Sequence, residues 1–151
     1  MATHLIATHG DNAEVYHGED LCKQKSRELL GEICLPEGLL PLNDIIEVGH
    51  NRSTGFVWLK QKKRNEHRFE AIRRTVLYES EVTAFVEMRR MRKVTGVKSK
   101  ELFFWVTISD IFIDDPDSAK IAFANSSGIS RSFPVSAFQL QEEDQEKKDG
   151  N

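Results

Sequence analysis

Ser130 is the first residue whose type and spacing could do chemistry. It lies in Gly128-Ile129-Ser130-Arg131-Ser132, the string nearest to a Gly-x-Ser-x-Gly nucleophile elbow. An elbow needs both glycines so that a strained strand-to-helix turn can expose the hydroxyl. Ser132 stands in place of the second glycine, and the flanking residues read as strand. His50 or His67 with Asp110 would complete a triad on another scaffold, but no spacing brings them to Ser130. Ser127-Gly128 therefore reads as a hairpin turn and Ser130 as a strand residue, and no catalytic residue is assigned.

The metal and nucleotide signals are weaker. His4, His9 and His17 are unsupported by cysteine, and Cys22 and Cys34 flank a helix at the wrong period to converge on zinc. Asp114, Asp115 and Asp117 lack the alternating oxygens, the glycine and the closing glutamate of a calcium loop, and Asx-turn chemistry accounts for them. No phosphate-cradling glycine motif is present, so neither a metal nor a cofactor is expected. The two cysteines read as small hydrophobes rather than a disulfide.

The remaining chemical signal is charge. The 151 residues carry a net −3, yet residues 52–100 carry +9 and the remainder −12. Lys60, Lys62, Lys63, Arg64, His67 and Arg68 form one basic cluster, expected at a hairpin end. Arg89, Arg90, Arg92 and Lys93 form a second. If the two meet, their potential would attract a lipid headgroup, an acidic partner or nucleic acid. Nucleic acid is disfavoured, because Trp58 and Phe69 alternate as core residues do rather than standing exposed among the charges. The bland alternative is a set of solvated strand edges, where lysine and arginine discourage edge pairing. The candidate ligand-binding set is Lys62, Lys63, Arg64, Arg68, Arg89, Arg90, Trp58 and Trp105.

These residues must be positioned by a mostly β fold. Residues 1–18 are polar and without period, and read as a flexible arm. A helix opens at Asp20 and stops near Cys34, because Pro36 forces the residue before it extended. Short β-type runs follow from Asp44 to Leu140, with turn signals about every 8–12 residues, the pattern of a barrel or sandwich. Leu102–Ile113 is nearly all apolar and reads as one strand buried on both faces. Gln141–Asn151 has five acids, two lysines and no apolar residue, the composition of a disordered tail. The expected organisation is one helix-plus-barrel domain over 19–140, with an arm before it and the acidic tail after it. The first twenty residues lack the basic start and apolar core of a signal peptide, and no window has the length of a membrane span, so a cytoplasmic or nuclear location is expected.

Three blocks carry a resemblance: Leu35-Pro-Glu-Gly-Leu-Leu-Pro41, Thr95-Gly-Val-Lys-Ser-Lys-Glu-Leu-Phe-Phe-Trp-Val106 and Phe133-Pro-Val-Ser-Ala-Phe138. Gly55-Phe-Val-Trp58 and Asp114-Asp-Pro116 support them. In this order they resemble the plant "domain of unknown function 538" family. The resemblance implies a plant cytosolic protein with a small antiparallel β-barrel behind an N-terminal helix. It also implies a distant likeness to lipid-binding permeability-increasing proteins, an esterase-like activity on chlorophyll as one option, and links to stress and leaf-hair development. Ala84 departs from the family pattern, where many members carry glycine.

The reading that follows is a non-catalytic module for a lipid-like or small amphiphilic anionic ligand, with Phe56, Trp58, Phe103, Phe104, Trp105, Phe112 and Phe138 as core-or-pocket residues. The alternatives are a protein-interaction module acting in stress or development, and an ester hydrolase. Deleting Gln141–Asn151 removes a net −3 and is expected to strengthen retention on heparin or anionic lipid. Unchanged salt-dependent elution would show that the tail does not mask the basic residues.

Overall fold

The computed structural model describes residues 2–140. Helix α2 (Glu19–Glu32) starts with Glu19 and Asp20 in its first turn, where carboxylates meet the positive end of the helix dipole. It buries Cys22, Ser26, Leu29 and Leu30, the stripe that 3.6-residue periodicity selects. Cys34 adopts a left-handed conformation at φ 61 and turns the chain. The segment that follows then sends Leu35, Leu39, Leu40 and Leu42 into the core.

The remaining major elements are strands. They are β2 (Ile45–Asn51), β3 (Phe56–Gln61), β4 (Asn65–Phe69), β5 (Arg74–Glu87), β6 (Arg90–Lys100), β7 (Trp105–Thr107), β8 (Asp110–Phe112), β9 (Lys120–Ala124) and β10 (Ser130–Pro134). A further strand, β1 (Glu14–His17), and a short helix, α1 (Ala2–His9), precede α2. All pairings are antiparallel. The strand order runs β1-β2-β3-β5-β6-β8-β9-β10, with β4 on β5 and β7 on β6. No pairing among the described residues joins the first strand to the last, so the mostly β class holds while the expected closed barrel does not form through hydrogen bonds.

One line of breaks crosses the sheet. β3 and β4 both run antiparallel to β5, with Lys60 opposite Glu81 and Asn65 opposite Tyr78, so Gln61–Arg64 bulge past only Glu79 and Ser80. On the other edge of β5, Tyr78 pairs with Val97 and Thr83 with Thr95, which leaves Gly96 facing Glu79–Val82. Beyond β6, Ile108 and Ser109 interrupt β7 and β8 at the same level, with Ile108 N–H donating to the Val97 carbonyl. Unequal residue counts across successive strands bend a sheet, as bulges do. Gly96 is required here: its φ is +80, and a Cβ would collide with the Glu81 carbonyl oxygen.

Buried polar groups pin this corner. Gln61 is 2% exposed. Its Nε2 donates to the carbonyls of Tyr78 and Glu79, both at 3.0 Å, and its Oε1 accepts from Asn43 N–H at 3.0 Å. Tyr78 Oη donates to the Leu39 carbonyl at 2.8 Å, which ties the segment after α2 to the bend. Burial pushes the Tyr78 phenol far up, so it stays a neutral donor.

Two expectations are corrected. The segment before residue 19 is not an unstructured arm: β1 extends the sheet in register on β2, from Glu14 opposite His50 to His17 opposite Glu47. α1 is fastened at its end, where His9 stacks on Phe56 at 4.8 Å and Asn51 Nδ2 donates to the His9 carbonyl at 2.8 Å. Four strand residues show too little alternation to stand out in sequence. Second, Leu102–Ile113 is not one buried strand. β6 turns back into β7 with Lys100 opposite Trp105, and residues 101–104 become the hairpin loop. Leu102, Phe103 and Phe104 are 87%, 93% and 62% exposed. The expected acidic tail, 141–151, lies outside the described residues.

Gln61→Leu strands three backbone partners in the interior and is expected to cost about 1–3 kcal/mol in urea unfolding. Gly49 faces the Trp58 indole, which a Cβ would overlap. Gly49→Ala is expected to cost about 1–3 kcal/mol by overpacking, and Trp58 emission will report the disturbance.

Candidate functional site: an apolar cleft with an arginine-bearing rim

The basic residues singled out by sequence do not gather at one mouth. Lys62, Lys63 and Arg64 are exposed at the corner opposite Glu79–Glu81, not at a hairpin end. Arg89 and Arg90 lie at the β5–β6 hairpin, nine residues further along β5, which is about 30 Å of extended chain. Arg68 pairs with Glu70 at 3.3 Å. Arg90 Nε lies 3.3 Å from Asp110, and its guanidinium sits 4.9 Å over the Phe112 ring. Arg89 has a backbone role: its N–H donates to the Ile33 carbonyl at 2.6 Å, and its carbonyl accepts from Ile113 at 2.9 Å. Trp58 is buried, and its Nε1 donates to Glu47 at 2.7 Å. One pair does meet. Arg64 and Trp105 line a shallow pocket of about 330 Å³ on the outer face of β4, β5 and β7, with Glu66 and Leu77.

The larger cleft lies elsewhere. It has a volume of about 400 Å³ between the β6–β7 loop and the β9–β10 hairpin. Val106, Ile108, Phe123 and Phe133 form its walls, and Phe103, Phe104 and Ile129 overhang it. Strand alternation sets this lining: Ser99 and Val106 face one another across β6 and β7 and point to the cleft side, while Lys98, Lys100 and Trp105 take the opposite face. Phe123 meets Phe133 edge-on at 5.9 Å and Phe138 at 5.2 Å, so the floor is continuous with the core.

Both overhanging tips are shaped by local hydrogen bonds. Glu101 N–H donates to the Phe104 carbonyl at 2.8 Å and closes the loop that carries Leu102 and Phe103. Asn125 Oδ1 accepts from the N–H groups of Ser127 and Ile129, at 2.9 and 3.1 Å, and fixes the turn that projects Ile129. Ile129 is 68% exposed.

At the cleft's edge, Glu101 accepts from two guanidinium groups. Arg74 Nη1 lies 3.0 Å from one carboxylate oxygen and Arg131 Nε 3.1 Å from the other. Arg74 also covers the Phe133 ring at 5.6 Å. One carboxylate between two arginines leaves a net positive charge, and Arg131 keeps donors facing solvent beside an apolar wall. Sequence reasoning named Phe103 and Phe104 as pocket candidates but missed Arg131 and Glu101. Those two lie thirty residues apart and meet only through the path β6-β8-β9-β10.

The candidate hydrolase groups are dispersed. Five strands separate His50 on β2 from Ser130 on β10 in the sheet order. His67 lies on β4, edge-on to Phe69 at 4.6 Å. Asp110 and Ser130 flank opposite sides of Ala124. No histidine or cysteine lines the apolar cleft. Among the described residues, no group of three His, Cys, Asp or Glu could hold a metal ion, and no helix is long and apolar enough to cross a membrane.

His50 is half-buried beside Arg52, and burial first, then Arg52, lowers its pKa against the weaker pull of Glu14 and Glu32. The unfolded chain therefore binds its proton more readily, and stability present near neutral pH falls as pH drops through 6.5 towards the folded value. His50→Gln is expected to flatten this part of the stability–pH curve, as read by urea midpoints between about pH 7 and 5.

A family described as "Protein of unknown function, DUF538" matches residues 26–139. No curated protein and no solved structure matches the chain. The match runs from α2 through β10 to the buried Phe138, spanning the cleft and both of its tips, and the chain belongs to the DUF538 family.

Proposed function

We propose that the chain is a non-catalytic binding module for a small amphiphile with an anionic head. The observation that carries this is the cleft itself: about 400 Å³ of apolar wall with Arg131 and Arg74 at its edge. Ligand sites are commonly of this kind, mostly apolar with a few polar groups that fix orientation. In this reading the tail lies against Ile108, Phe123 and Phe133, under Phe104 and Ile129. The head meets the solvent-facing donors of Arg131. The shallow pocket at Arg64 and Trp105 is a secondary anion contact, with Lys62 and Lys63 nearby in sequence. Cytoplasmic placement belongs to the same proposal.

A fluorescent long-chain fatty acid tests it below its micelle concentration. Saturable binding with a negative heat-capacity change is expected, because apolar surface leaves water. Arg131→Gln is expected to weaken it about tenfold, the scale of one lost charged hydrogen bond. Ile129→Ser is expected to weaken it severalfold while leaving the unfolding midpoint unmoved, since the side chain is exposed. Absence of saturable binding, or affinity indifferent to both substitutions, overturns the reading.

A further inference from the structure

Leu102, Phe103, Phe104 and Ile129 form the largest concentration of exposed apolar side chains among the described residues. They sit on two adjacent tips that overhang one cleft. Exposed apolar surface of this kind marks a contact with something apolar. We propose that these tips dock the protein on an anionic lipid bilayer, with Leu102 and Phe103 entering the interface and the cleft opening towards the lipid. This rests on the amphiphile reading and extends it to the surface from which such a ligand would be drawn.

Charge selects this occupant. Arg73, Arg74, Lys98, Lys100 and Arg131 stand on the strands and turn behind the tips. The acids near them are Glu101, already shared by two arginines, Glu66 across the outer face, and Glu70, which shares a turn with Arg73 and pairs with Arg68 at 3.3 Å. An anionic leaflet attracts such a frame. A second copy of the chain would bring the same cations against themselves, since a two-fold contact places like surface on like. Trp105 lies directly behind the loop, with the Lys100 ammonium 5.8 Å from its ring. Tryptophan and lysine at the base of an apolar tip match the polarity gradient of a membrane interface, where the ring rests at headgroup level and the ammonium reaches water. The loop's own bond from Glu101 N–H to the Phe104 carbonyl spares a backbone donor from desolvation on entry.

The test is co-sedimentation of the full chain with vesicles of phosphatidylcholine, with and without phosphatidylserine. Binding to the phosphatidylserine vesicles is expected, falling severalfold when salt is raised from about 50 to 300 mM. The double variant Leu102→Ser, Phe103→Ser is expected to reduce partitioning at least tenfold with an unchanged far-ultraviolet circular dichroism spectrum, because both side chains are exposed. Lys100→Gln with Arg131→Gln is expected to remove most of the preference for phosphatidylserine. Phe103→Trp is expected to shift its emission to shorter wavelength on vesicles. The inference is overturned if the wild-type chain does not bind phosphatidylserine vesicles, or if binding survives loss of Leu102 and Phe103. It is also overturned if the exposed loop serves only a protein partner, read as capture of an acidic protein by the loop without any vesicle binding. Fatty-acid binding without vesicle binding sinks the docking proposal alone. Vesicle binding without fatty-acid binding supports docking and sinks the cleft reading.

Discussion

The sheet turns at Glu79–Val82, and the elements on both sides of that bend take their positions from it. β5 is too long to stay straight beside its neighbours and still close a core, so the sheet turns along one line through Gln61–Arg64, Glu79–Val82, Gly96 and Ile108–Ser109. A bulged strand leaves backbone groups without ladder partners, and burying them unpaired would be costly. Gln61 removes that cost at the inner side, since one amide satisfies two carbonyls and an N–H. Gly96 permits the close approach on the far side, where a side chain would strike the Glu81 carbonyl. Tyr78 then fastens the Leu39 backbone to the same place, so that α2, the segment behind it and both halves of the sheet share one buried joint.

The cleft is a consequence of that joint. Beyond the bend, the last residues of β6 pair with β7, and the interruption at Ile108–Ser109 lets the chain cross to β8 and then to β9 and β10. Arg131 is thereby carried to Glu101, and the β9–β10 turn to the β6–β7 loop. The apolar tips are left without cover because hairpin loops project from the sheet they connect. A contiguous apolar run in the sequence thus serves two purposes: Val106, Ile108 and Ile111 face the interior or the cleft, while Leu102 and Phe103 face solvent.

Charge is distributed on the same logic. Much of the basic excess of residues 52–100 is spent locally: Arg52 joins Glu14 and Glu32, Arg90 joins Asp110, and Arg92 joins Glu87. Exposed pairs of this kind contribute little to stability, but they cancel fields that a distant ligand would otherwise sense. Glu47 is the exception in depth. Burial would raise its carboxyl, yet hydrogen bonds from Trp58 and His17 and the nearby Lys60 outweigh that and hold it below its ordinary value. Its carboxylate links β1, β2 and β3 at their exposed side.

The class of fold and the place of its main helix were legible in the residues alone. Apolar spacing from Cys22 to Leu30, acids at the helix start and Pro36 beyond its end are local signals, and local physics acts on them directly. The alternating runs and turn residues likewise announced many short strands, and the three blocks of residues carried the family. Which aromatic residues are core and which are exposed emerged only from the three-dimensional pairing, because Phe103 and the buried Phe138 have the same chemistry and differ only in where the chain carries them. That pairing also decided that the two basic clusters stand apart along β5 and that Arg131 meets Glu101 instead. Register is fixed by pairings between residues distant in the chain, and a shift of one residue exchanges the two faces of a strand. No count of charges along a sequence carries that information.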